Sequence, residues 1–304
     1  MRKRTQGKIA DLSLALVAII WGSGFIFVKW ALNMGLTPLG MLSIRFIVAA
    51  VILSLVFYKK LKTINKKDMI YGSIVGLFLF GGFAFQTIAM QYTTPSKNGF
   101  LTSVNVVIVP FLVLIISKEK PKINSFISAG LCLCGIALLT LNKSLKLSYG
   151  DLLTLVCAFL FAAHIVSVGM FIKKVDPIKL SVIQMIVAAL ISLIVSILFG
   201  EFTVELGSKG LFAVVYLGAA CTALCFLIQN VAQKYTSTSK ASIILSTEAV
   251  FGTIFSIIIF KEELTINMII GFIIIFIAII IAESKPIVFK KNKGKRKSLG
   301  TAKN

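Results

Sequence analysis

The chain is written in apolar blocks of about 20 residues, the length a helix needs to cross a hydrocarbon layer about 30 Å thick. Short breaks such as "NMGLTP", "YTTPSK", "KEKPK" and "KKVDP" separate them, rich in the residues that end helices and turn the chain. An open strand cannot satisfy its backbone in lipid, and the alternating pattern of a barrel is absent. The blocks therefore read as membrane helices over 11–31, 38–57, 68–90, 98–117, 123–141, 151–171, 178–199, 210–232, 240–260 and 265–283. With 58% hydrophobic and 14% charged residues, the chain is too apolar for a soluble domain.

A net charge of +21 raises nucleic acid as a partner, but the basic residues sit between apolar blocks and in the tail, without an aromatic-interleaved basic face. Nucleic acid is set aside, and the charge is read as topology. With the amino terminus inside, the inner segments carry 24 Lys and Arg and the outer segments five, so both termini are expected in the cytoplasm of a multi-pass plasma-membrane protein. The opening "MRKRTQGK" precedes an apolar run too long for a signal peptide and without a small-x-small cleavage site, so it reads as residues 1–10 of a retained chain. Residues 284–304 form a basic cytoplasmic tail. Lys29, near the outer end of its helix, reads as snorkelling.

The five cysteines all fall in apolar blocks and the single histidine is His164. That is neither a disulfide framework nor a ligand set, so no metal and no cofactor is expected.

The sequence also repeats itself. "IRFIVAAVI" (44–52) returns as "IQMIVAALI" (183–191), with six of nine positions identical and Gln184 in the place of Arg45. At a spacing of 143, residues 83–136 and 226–279 share 16 identities, among them Phe83/Phe226, Gln86/Gln229, Tyr92/Tyr235, Lys97/Lys240 and Ser103/Ser246. Shared oiliness does not produce matched Gln, Tyr and Lys. Upstream the spacing is 139 to 140, pairing Asp11 with Asp151 and Pro38 with Pro177. Each copy holds five spans, and five is odd, so the second copy enters the membrane from the opposite side. The expected fold is all-α and integral to the membrane: ten transmembrane helices as two inverted five-helix repeats, 11–141 and 151–283.

The runs "AIIWGSGFIFVKWALNMGLTPLGMLSIRF" and "TEAVFGTIFSIIIFKEELTINMIIGFIIIFIAIIIAE" resemble the start and end of EamA-type domains of the drug/metabolite transporter (DMT) superfamily. The resemblance covers about 11–283. It implies a carrier, often an exporter of amino acids or other small metabolites. The chain departs from the family's frequent Glu-Pro by having Glu248-Ala249, which puts the role of a proline kink there in question.

Polar residues inside the spans need a reason, since an Arg or Asp at a helix centre costs about 2.5–3.5 kcal/mol. Arg45 and Glu248 fall at neighbouring depths. They form an internal ion pair, or Arg45 snorkels, or the two bracket a polar substrate, and Glu248 is also a candidate proton carrier. Trp21 sits mid-helix, where it either faces lipid or walls a cavity. The small residues beside it in "WGSG" favour close helix packing. Asn105 matches Glu248 in the repeat; like His164, it either lines the pathway or makes a helix–helix contact. Gln86, Gln184 and Gln229 are candidates for gate or cavity positions. With no phosphate loop and no catalytic spacing, the chain reads as a secondary transporter, not an enzyme, exporting a small polar metabolite by alternating access, with proton coupling an open option. A membrane-embedded enzyme and a passive channel are the alternatives. The expected partners are the small-molecule substrate and the lipid bilayer; a homodimer is left open.

Overall fold

The computed structural model describes residues 2–118, 123–140, 148–202 and 207–283. The tail 284–304 and the loop residues Glu119, Lys120, Lys122, Lys143 and Lys146 lie outside the described residues. Among the described residues the fold is all-helical, with no strand. The principal helices are α1 (Arg2–Asn33), α2 (Pro38–Val56), α3 (Lys66–Ala89), α4 (Pro95–Thr102, then Asn105–Ser117) and α5 (Ile123–Thr140). They continue with α6 (Tyr149–Phe171), α7 (Pro177–Leu198), α8 (Ser208–Tyr216, π-helical Leu217–Leu224, then Cys225–Ala232), α9 (Thr238–Ser246, then Glu248–Phe260) and α10 (Ile266–Glu283). Eight of them are long and apolar enough to cross a membrane; α5 and α10 carry the shorter apolar stretches Phe126–Gly135 and Ile266–Ile281. Three features differ from the plain spans expected. The first helix starts at Arg2, well before residue 11, the fourth and ninth are kinked, and the eighth contains a π-helical stretch.

The breaks set the helix ends by local chemistry. Thr37, Thr94 and Asp176 each stand just before a proline at the first helical position, which needs no hydrogen-bond partner for its missing N–H. Asn65 with Asp68, and Ser148 with Asp151, form capping boxes at the starts of α3 and α6. Lys118 and Lys261, matched in the repeat, end α4 and α9 in the left-handed conformation at φ 56° and 53°.

Polar contacts fix which helix ends lie together. Lys29, near the end of α1, donates to the carbonyls of Met90 (2.8 Å) and Thr93 (3.2 Å) just beyond α3. It thus bonds open carbonyls at a helix end instead of snorkelling freely. One turn into α4, Lys97 pairs with Asp151 in the first turn of α6 at 2.8 Å. Asp11, near the start of α1, pairs with Lys240 in the first turn of α9 at 2.5 Å. The starts of α1 and α6 therefore lie at opposite ends of the bundle. In the same way, Thr37 and Leu39 at the start of α2 bond to Glu201, just after α7 (2.6 and 2.8 Å), while Lys60, just after α2, meets Asp176 at the start of α7 (2.6 Å). So α2 and α7 run antiparallel.

The two ends are not equally sealed. The side chains of Lys97 and Asp151 are 19% and 0% exposed, whereas those of their repeat counterparts Lys240 and Asp11 are 54% and 25% exposed. Between these ends the helices pack α2 on α7, α3 on α6 and α7, α1 on α9, and α5 on α10. Large apolar side chains such as Leu12, Leu55, Leu133, Phe159, Leu198, Phe212 and Ile258 face outward, the surface that a bilayer would cover.

Candidate functional site

Two kinks prepare the centre of the bundle. In α4 the N–H groups of Val104, Val106 and Val107 bond only three residues back, and in α9 those of Thr247 and Val250 do the same. Val104 and Thr247 stand at the repeat spacing of 143. Hydroxyls bonded back into their own helix tend to bend it, and three do so here: Ser103 to Gly99, Ser246 to Ile243 and Thr247 to Ile244. α9 is thus interrupted at this point without a proline, Ala249 standing just beyond the break. Ser103 also donates to the carbonyl of Ser246 at 3.1 Å, so equivalent residues of the two copies touch. Asn105 and Glu248 open the segments that follow the kinks.

Trp21, Arg45, Gln86, Asn105, His164, Gln229 and Glu248 all line one cavity. Gln184 does not; it stands behind His164, its Oε1 3.1 Å from the imidazole Nε2. Beyond these groups the wall is apolar, with four aromatic rings, Phe25, Phe83, Phe161 and Phe226, among aliphatic and sulfur-bearing side chains. The lining follows the repeat. Trp21 and Phe161, Gly24 and His164, and Phe25 and Ile165 are 140 residues apart. Phe83 and Phe226, Gln86 and Gln229, and Asn105 and Glu248 are 143 apart. The space open to water centres is about 50 Å³, room for roughly four waters.

Arg45 is 3% exposed. Its Nε donates to the Thr222 hydroxyl at 2.6 Å, and its guanidinium lies 4.1 Å from the centre of the Phe83 ring. Both contacts hold a desolvated cation: one supplies an acceptor and the other an aromatic face. Thr222 in turn donates to Leu217, five residues back, and the neighbouring carbonyl of Cys221 accepts the Trp21 indole N–H at 2.7 Å. Both belong to the π-helical stretch, a local widening of the helix often found at functional sites. Trp21 is thus fixed in the wall, its ring centre 4.9 Å from that of Phe226, and does not face lipid.

Glu248 is 8% exposed. No ion pair joins it to Arg45, and its carboxylate has no hydrogen-bond partner among the described residues. Of the arrangements open from the sequence, the internal ion pair is not formed. Gln86 donates to Thr102 at 3.2 Å and Gln229 to Gln233 at 3.1 Å.

Thr222, Cys221, Phe83, Phe161 and Phe226 were not singled out from the sequence. Phe83 and Phe226 had a signal, an aromatic identity in the repeat. Phe161 stands opposite Trp21 at the 140 spacing. Thr222 had none, because nothing in "LGAACTAL" announces a π-helix.

A family model described as the EamA-like transporter family matches residues 8–141 and again 148–283. An uncharacterized transporter of Archaeoglobus fulgidus is 33% identical over 275 residues, 90% of this chain and 85% of that one. The uncharacterized transporter YoaV of Bacillus subtilis is 26% identical over 277 residues, 87% of this chain and 93% of its own. A solved structure described only as the crystal structure of a protein superposes with a TM-score of 0.69, covering 91% of this chain and 96% of its own. At 17% identity, that likeness is one of fold alone.

Proposed function

This chain belongs to the EamA-like transporter family of the DMT superfamily, and from that premise we propose that it exports a small zwitterionic metabolite, of the amino-acid kind, across the plasma membrane by alternating access. That it is a multi-pass membrane transporter follows from the family and the apolar helices. The observation that carries the finer reading is the separation of Arg45 and Glu248. Both are buried in one cavity, unpaired with each other. A buried charge left without its opposite is costly. A ligand with a carboxylate and an ammonium supplies both partners at once: Arg45 takes the carboxylate and Glu248 the ammonium. Trp21, Asn105 and His164 shape the chamber, and Gln86 and Gln229 stand as matched positions of its wall. Gln184 orients His164.

In this reading the repeats, 11–141 and 151–283, form ten spans in two inverted halves. Support comes from α1 and α6 starting at opposite ends, from the antiparallel α2 and α7, and from the contact of Ser103 with Ser246. Halves related in this way can exchange conformations, which opens the chamber to one side and then the other. A chamber with room for roughly four waters must part its walls to admit such a cargo. The more buried Lys97–Asp151 pair marks the sealed end, and the more exposed Lys240–Asp11 pair the looser, cytoplasmic end. Glu248 holds either the ammonium or a proton, which would couple export to proton entry.

The test is a metabolite-resolved efflux screen in cells lacking and overproducing the protein, followed by counterflow in proteoliposomes with the cargo found. Arg45→Ala and Glu248→Gln, each checked for correct folding, should each abolish amino-acid counterflow, and Glu248→Gln should remove any response to a pH gradient. Normal transport by both variants refutes the site, and flux without counterflow indicates a channel.

A further inference from the structure

The polar atoms of the cavity are not equally satisfied, and the pattern of the unsatisfied ones has a chemical meaning. Asn105 Oδ1 and Gln229 Oε1 are buried and without a hydrogen-bond partner. Their residues are 6% and 0% exposed. The Glu248 carboxylate, in the same wall, likewise accepts no hydrogen bond among the described residues. Arg45 has committed only its Nε, to Thr222. The residues that line the cavity therefore carry unpartnered acceptors on α4, α8 and α9, and the terminal N–H groups of one guanidinium on α2.

The orientation of Gln229 follows from its neighbours. Gln233 donates through Nε2 to the carbonyl of Ile165 at 3.3 Å, and a carbonyl can only accept. The Gln233 Oε1 must then face Gln229, which meets it with Nε2 at 3.1 Å. The Gln229 Oε1 is left as a fixed acceptor. A backbone carbonyl two hydrogen bonds away thus decides that the free atom of this buried amide is oxygen, not nitrogen.

We propose that Glu248, Gln229 and Asn105 form a subsite for a primary ammonium group, whose three N–H donors match three acceptors. This deepens the zwitterion reading above and rests on it. A buried acceptor that finds no donor loses free energy, so cargo with fewer N–H groups is disfavoured stepwise. The aromatic wall of Trp21, Phe83 and Phe226 offers the competing chemistry. Such rings hold quaternary ammonium well, and if they dominated, N-methylation would not weaken binding.

The experiment uses the full-length protein in lipid nanodiscs, carrying Trp30→Phe so that Trp21 is the only fluorophore of its kind. The twenty protein amino acids are titrated first. Those that quench Trp21, and fail to do so in Arg45→Ala, are compared with their N-monomethyl and N-trimethyl forms. Binding should weaken on the order of tenfold per N–H removed. In Gln229→Leu the primary amine should weaken while the trimethyl form is unchanged, which narrows the discrimination. The wild-type methylation series stands on its own if Gln229→Leu does not fold. Trimethyl forms that bind as well as the parent overturn the ammonium subsite and leave the zwitterion reading in place. An absence of Arg45-dependent binding by any amino acid overturns the zwitterion reading, and the subsite falls with it.

Discussion

Two lysines at matched places in the repeat should respond very differently to the same substitution. Lys97 holds Asp151 at 2.8 Å, and the Asp151 side chain is fully buried with its Oδ1 unpartnered. Removing the only cation that pairs with it among the described residues leaves an uncompensated buried carboxylate, at about 3–5 kcal/mol. Part of that is relieved, because Asp151 also accepts from the Ser148 N–H in its capping box and sits at a helix start, where a negative charge gains about 1 kcal/mol. Lys97→Ala should therefore cost about 2–4 kcal/mol. Lys240 pairs with Asp11 where both are substantially exposed, and Thr236 still donates to Asp11 at 3.2 Å after the lysine is gone. Lys240→Ala should cost about 0–1 kcal/mol. The assay is thermal unfolding of both purified variants in one detergent at one scan rate, since membrane proteins seldom refold on cooling. Lys97→Ala should unfold several degrees lower and Lys240→Ala within about a degree of the parent. Adding Asp151→Asn should restore part of the Lys97→Ala loss by removing the stranded charge. Equal shifts for the two lysines, or no rescue by Asp151→Asn, would refute the reasoning.

Two further outcomes are expected. A Cβ on Gly22 would stand 2.6 Å from the Phe251 Cβ and 2.9 Å from the Gly252 nitrogen, so Gly22→Ala should force α1 from α9 and cost about 1–3 kcal/mol of stability, read as a lowered unfolding midpoint. Asp176, just outside its span, is pushed up by partial burial. The hydrogen bonds from Lys60 and the Ile178 N–H, with the Lys60 charge, outweigh this and hold its carboxyl below the usual range. A depressed value in the folded state means that its contribution is full above the unfolded-state pKa and lost as pH falls through the folded one. Asp176→Asn should therefore flatten the acid limb of a stability–pH profile and leave neutral and alkaline pH dependence unchanged; an unaltered acid limb would count against it.

The helical segments were legible because lipid leaves so few options for a backbone. All ten expected segments coincide with helices, most within three residues at each end. Their punctuation was legible because "TP" and "DP" carry the proline at the first helical position, and at Thr94 and Asp176 the capping side chain as well. What the sequence concealed was departure from regularity. The breaks at Val104 and Thr247 coincide with hydroxyls turned back on their own helices, and Pro110 lies inside α4 just beyond the first; a serine in an apolar run does not reveal its rotamer. The widened turn of α8 lies where the helix packs closely on α2. Its Gly218 lies so close to α2 that an added Cβ would stand 2.8 Å from the Arg45 carbonyl, and Thr222 bonds five residues back. Arg45 was conspicuous in the sequence, but the hydroxyl and the ring that hold it were not.

The matched positions also show where a duplicated scaffold and its chemistry part company. Phe83 and Phe226, or Gln86 and Gln229, stayed the same in both copies and line the chamber from related helices. The charged groups stand where the copies differ: Arg45 against Gln184, Glu248 against Asn105. A second carboxylate at Asn105, which lines the same chamber as Glu248, would repel the first. A single cation and a single carboxylate, one from each half, avoid that repulsion and give the chamber a direction. A zwitterion, the cargo proposed above, would then enter it in only one orientation. Divergence at matched positions, rather than identity, is therefore the sequence signal that points to the cargo, and Gly24 against His164 and Phe161 against Trp21 carry the same signal in the uncharged wall.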